Sequence, residues 1–143
     1  MESADHSQPA YETIETLLKG VEVALPDGVV YHDKDGNPRT RSRVAWWLSG
    51  EGRTYGEMQF PEKAADTVRT PVSEEDQARL AGYRDQIPVF FGHYWLNSKG
   101  ANLQTPYVCC LDYSIAKKGA LAAYTWSGEK QLREDRFTLI PAD

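Results

Sequence analysis

The sequence predicts an α+β fold, mainly antiparallel strands in a β-meander with two short helices, and three observations carry that prediction. Tyr11, Ile14, Leu17 and Leu18 recur at helical spacing, and Ser73-Glu74-Glu75-Asp76 has the chemistry of a helix start. Asp35-Gly36, a strong reverse-turn pair, separates two strand-like runs. The last third of the chain is rich in aromatic and branched residues broken by Asn, Gly and Lys turns.

Residues 1–10 are polar and carry Pro9, so they are expected to form a flexible tail, leaving 11–143 as a single α+β domain. The first helix should run from Tyr11 and end at Gly20, where a left-handed cap suits glycine. Val29–His32 and Arg41–Leu48 flank the turn at 33–38 and form a hairpin, and Arg53–Phe60 supplies a third strand. After the polar stretch 61–72, Ser73 caps a second helix whose first-turn acids complement the dipole, and which reaches about Tyr83. Val89–Trp95, Tyr107–Ile115, Leu121–Trp126 and Phe137–Ile140 complete the meander.

Composition narrows the function classes. With 143 residues, 41% hydrophobic, four Trp and eight Tyr, the chain has the material for a buried core and lacks the composition of a disordered segment. A net charge of −5 gives no global attraction to phosphate backbones or anionic lipid, so nucleic acid is not an expected partner. No apolar run approaches the ~20 residues of a membrane span, and a cytoplasmic location is expected. Cys109 and Cys110 are adjacent, and neighbouring strand residues point to opposite faces. A disulfide between them would be strained, they lack the spaced pairs of a zinc site, and a reducing compartment suits both.

The most informative segment is Pro88-Val89-Phe90-Phe91-Gly92-His93-Tyr94-Trp95, an apolar strand that ends in Gly-His and sets an imidazole at a strand tip. A lone histidine is usually an ordinary hydrogen-bonded residue. Here it is followed by the strand Cys110-Leu111-Asp112-Tyr113-Ser114, the Lys118-Gly119 turn and the strand Leu121–Trp126. Upstream stand Leu17-Leu18-Lys19-Gly20, Leu25-Pro26-Asp27-Gly28, Asp33–Gly36 and Trp46-Trp47. From Tyr11 onward this succession resembles the C-terminal segment of calcineurin-like metallophosphoesterases, where a Gly-His-x-His tip precedes an Asp-bearing strand, a glycine turn and a further strand.

The resemblance implies the C-terminal part of a metallophosphoesterase α/β sandwich, and in the full-length parent a divalent metal pair about 3.5–4 Å apart that clamps the phosphate. Most ligands of that pair come from motifs absent here. There is no Gly-Asp dipeptide, Asp5-His6 lacks the spacing of Asp-x-His, and Gly36-Asn37 is followed by Pro38 instead of His. His93 matches the first histidine of the tip motif and is the candidate metal ligand; Trp95 stands where the second would be. No cofactor is expected in the isolated chain, because one imidazole does not hold a divalent ion tightly.

Arg39, Arg41 and Arg43 alternate with Thr40 and Ser42, so a strand would set three guanidiniums on one face as a candidate phosphate-binding ladder. The competing reading is a solvated face beside Asp33 and Asp35. The Asp33–Asn37 loop fails as an EF-hand, since its glycine is fourth instead of sixth and Val44 holds the twelfth position. The aromatics at 46, 47, 90, 91, 94 and 95 suit core or interface better than base stacking, given the acidic charge. Asp112 suits a hydrogen-bonded structural carboxylate better than a catalytic one.

The expected function is therefore the C-terminal segment of a phosphoester hydrolase, inactive alone and partnered by the N-terminal catalytic half. Without that half, apolar surface should be exposed and a homodimer through it is expected. The alternative is a standalone module binding a protein or a phosphate-containing ligand through the arginines or the aromatic tip.

Overall fold

The computed structural model describes residues 20–33, 36–61, 68–99 and 102–142. The expected tail at 1–10 and the helix expected from Tyr11 lie outside the described residues, as do Lys34 and Asp35 of the hairpin turn. The described residues gather into two compact units, Gly20–Arg84 and a second beginning at Asp85. They make an α+β fold with two short α-helices and mostly antiparallel strands. No described helix is long and apolar enough to cross a membrane.

In the first unit β1 (Glu22–Ala24) and β4 (Arg41–Arg43) pair antiparallel, with Val23 opposite Ser42. Both of those side chains point inward, 0% and 1% exposed, while Glu22 and Arg41 face out, as period-two alternation requires. Between them β2 (Tyr31–His32) and β3 (Pro38–Arg39) form the hairpin. The Asp33 carboxylate accepts the Asn37 N–H at 2.9 Å, and Gly36 takes a φ of 79° that suits glycine. The expected pairing of Val29–His32 with Arg41–Leu48 is therefore corrected: the return strand is Pro38–Arg39, and Arg41–Arg43 turns to β1. Burial of Val23 and Leu25 drives that choice.

A second correction falls at Arg53–Phe60, where the expected strand is the helix α1 (Tyr55–Met58). Thr54 and Glu57 close a capping box, the side chain of each accepting from the other's backbone N–H. The turn so nucleated buries Tyr55 and Met58 on one side, 1% and 0% exposed. Helix α2 (Glu74–Arg79) starts at the expected cap, where the Ser73 side chain accepts the Asp76 N–H, but stops at Leu80, short of Tyr83. Val23, Leu25, Val44, Tyr55, Met58, Val68, Val72 and Leu80 form the core of this unit. Beside them Trp47 meets Phe60 edge-on at 4.7 Å, and Trp46 meets Tyr83 at 5.8 Å.

In the second unit β5 (Val89–Phe91) and β6 (Val108–Cys110) pair in parallel, which departs from the expected meander. The chain from Phe91 to Val108 supplies the long return that a parallel pair needs. The remaining strands do form a meander, β7 (Asp112–Tyr113), β8 (Ala120–Tyr124) and β9 (Phe137–Pro141) in that order. Tyr113 and Ala120 face inward, whereas Asp112, Leu121 and Ile140 are direct neighbours across the three strands and share the opposite face. Leu121 and Ile140 are 52% and 58% exposed there.

Candidate functional site at the Gly92–Trp95 tip

Two parallel strands that end at Phe91 and Cys110 present their carboxyl ends to the same edge. From that edge β5 runs directly into Gly92, His93, Tyr94 and Trp95. His93 and Trp95 have φ values of 70° and 52°, in the left-handed region that side chains disfavour. Tyr94 between them is 1% exposed and sits edge-on to Phe91 at 5.0 Å, while His93 and Trp95 are turned outward. Each such backbone outlier costs on the order of 1–3 kcal/mol and persists only where its surroundings fix it.

Asp112 fixes the Trp95 end of this segment. Its Oδ2 accepts the Trp95 N–H at 3.0 Å, its Oδ1 accepts the Ser114 N–H at 3.1 Å, and its backbone carbonyl accepts the Leu96 N–H at 2.9 Å. Ser114 Oγ donates to the Leu96 carbonyl at 3.1 Å and closes the loop of bonds. The carboxylate is half-buried and hydrogen-bonded, the structural role expected from its place in an apolar strand. On the next turn, a short 3-10 helix at Ile115–Lys117, the Lys117 ammonium stands 4.2 Å from the centre of the Trp95 ring.

Glycine is required in this unit at Gly119, not at Gly92. A Cβ on Gly92 would meet Asp112 at 3.8 Å, an ordinary contact. A Cβ on Gly119 would lie 2.0 Å from the Tyr113 carbonyl oxygen, so the Lys118-Gly119 turn tolerates no side chain there.

As sequence reasoning placed it, His93 lies just past a strand end and is exposed. It offers one imidazole, and among the described residues no group of three or more His, Cys, Asp or Glu is gathered to hold a metal ion. Cys109 and Cys110 are wholly buried free thiols at the end of β6. Burial pushes both up to about 12, so they remain protonated and unreactive at neutral pH.

The arginine ladder does not form as one face. Arg39 belongs to β3, opposite Tyr31, and both Nη2 and Nε reach Asp33, at 2.7 and 2.9 Å. Arg41 and Arg43 belong to β4 and flank Glu22, at 3.7 and 3.6 Å. Thr40 interrupts the two, because its carbonyl accepts the Leu25 N–H at 2.8 Å and turns the chain from one sheet to the other. Of the two residues expected opposite the arginines, Ser42 is buried between Arg41 and Arg43, whereas Thr40 is exposed.

Two participants at the tip escaped sequence reasoning, Ser114 and Lys117. Ser114 adopts a φ of 60°, and it is this kink that carries the 3-10 turn and its lysine. Nothing in a Ser-Ile-Ala-Lys run announces that geometry. No family model, curated protein or solved structure matches the chain.

Proposed function

We propose that the chain is the C-terminal segment of a calcineurin-like metallophosphoesterase, with His93 offered to a metal pair whose other ligands come from an N-terminal half. The observation that carries this reading is the exposed His93 just beyond the carboxyl ends of a parallel pair, two residues before the Trp95 amide that the aspartate of the next strand holds. When bound, the divalent pair supplies the clamp on the phosphate and lowers the pKa of the attacking water.

The residues of this chain do the positioning. His93 contributes one imidazole nitrogen, and Trp95 takes the place of a second histidine without the means to ligate. Asp112 spends both carboxylate oxygens on backbone amides and so orients the tip without joining the metal. Arg39, Arg41 and Arg43 would meet a phosphate only by leaving Asp33 and Glu22. The apolar face of Leu121 and Ile140, on the same side of the sheet as Asp112, is where the N-terminal half would seat.

The test joins sequence and activity. The reading frame upstream of Met1 is expected to encode an Asp-x-His and a Gly-Asn-His, and the extended chain should hydrolyse an aryl phosphate with manganese. His93→Ala should lower that turnover about tenfold or more, given that even residues supporting metal ligands cost this much. The 143-residue chain alone should show none above background. Metal-dependent turnover by the chain alone that disappears in His93→Ala overturns the reading, as does an upstream frame without those motifs.

A further inference from the structure

We propose that Trp95 and Lys117 form a recognition platform for a phosphate ester that carries a flat aromatic ring, the ring stacking on the indole and the phosphate meeting the ammonium. The inference deepens the reading of the tip as a phosphoester site and rests on it.

Trp95 is a large apolar side chain 45% exposed at a backbone φ of 52°. Its neighbours Tyr94 and Leu96 are buried, so the segment has its packing anchors without the indole. The backbone that presents it is held by the Asp112 carboxylate at the Trp95 amide, and by the Ser114 hydroxyl at the Leu96 carbonyl. An exposed ring on a fixed backbone loses little freedom when a second ring stacks on it. Lys117 adds the second half of the chemistry: its ammonium lies over one face of the ring, 4.2 Å from the centre, and both groups are exposed to solvent, so the ligand ring stacks on the other face and its phosphate reaches the ammonium past the indole edge. A ligand that offers a π-face and an anion together satisfies both; an inorganic anion or a bare ring satisfies one. The net charge of −5 argues against a long polyanion.

Adenosine monophosphate is the probe, with adenosine and inorganic phosphate as the separated halves. The Trp95 indole N–H signal, assigned by its absence in Trp95→Leu, is followed by NMR in the full chain without metal. Adenosine monophosphate should shift that signal and bind more tightly than either adenosine or phosphate. Stacking on an aromatic side chain predicts that Trp95→Leu weakens binding by about fivefold to a hundredfold, and Trp95→Phe should retain most of it. Lys117→Met should reduce the nucleotide to the affinity of the nucleoside. Unchanged nucleotide binding in Trp95→Leu, a nucleotide that binds no better than phosphate, or an indole signal that stays still at millimolar nucleotide overturns the proposal. Because no metal and no catalytic half enter the titration, this result is independent of whether the upstream frame encodes the metal motifs.

Discussion

Tyr55 is 1% exposed, yet its hydroxyl reaches Asp76 Oδ2 at 2.6 Å and accepts the Ser73 N–H at 3.3 Å, tying α1 to the start of α2. A hydrogen bond to a charged group contributes about 1.5–3 kcal/mol, and Tyr55→Phe should destabilise the fold by that amount in urea unfolding. A change within about 0.5 kcal/mol, the range of ordinary surface substitutions, would mean that the bond is replaced by water. The thiols make a second residue-scale prediction. Burial raises Cys109 and Cys110 to about 12, against about 8.5 in an unfolded chain. Their contribution is complete below about pH 8.5 and is lost as pH rises toward 12, since only the unfolded chain ionises freely. The unfolding midpoint should fall across that window, and fall less in Cys109→Ala/Cys110→Ala; equal slopes would remove the thiols from the account. Their place in a strand was legible in the run Tyr107–Ile115, whereas the burial of both was not, and neither was the pairing of Tyr55 with Asp76, because it depends on two separate helices meeting.

At the scale of elements, local chemistry was legible wherever a cap or turn residue announced it. Ser73 followed by three acids marked α2, and Gly36 marked the hairpin. The run Arg53–Phe60 contained its own correction: Thr54 and Glu57 stand at capping-box spacing and outweigh the strand preference of Tyr55 and Phe60. Thr54→Ala should therefore cost about 1 kcal/mol, whereas a true strand would be nearly indifferent to it; chemical unfolding distinguishes the two. Strand direction was not legible, since alternation within Val89–Phe91 is the same whether its partner runs parallel or antiparallel. The arginines failed for a related reason, because period two holds only inside one strand and Thr40 leaves the ladder to bond with Leu25. The Lys118-Gly119 turn offers a sharper test. Gly119→Ala would drive a methyl to 2.0 Å from the Tyr113 carbonyl, so the β7–β8 connection must rearrange. Its expected signature is loss of hydrogen-exchange protection at the amides of Gly119 and Ala142, which the present turn engages or faces.

For the molecule as a whole, the informative surface is the face of the meander that carries Leu121 and Ile140. A soluble domain normally covers such positions with polar side chains, and here two branched aliphatics sit directly opposite each other, 52% and 58% exposed. Under the proposed function a second body covers them, and in its absence two copies of the chain should cover each other. Self-association is therefore expected to rise with concentration in sedimentation velocity. Leu121→Lys combined with Ile140→Glu should abolish it, because two desolvated charges on each copy oppose burial of the face. The same pair of substitutions sets opposite charges across adjacent strands, an arrangement worth roughly 0.2–1 kcal/mol to the sheet, so unfolding is not the expected cause of dissociation. Retained circular dichroism in the double variant, with a single monomeric boundary where the parent chain shows a shifting one, would support the covered face. A parent chain that stays monomeric at every concentration would leave these aliphatics as isolated surface residues and remove the apolar face from the argument for a missing half.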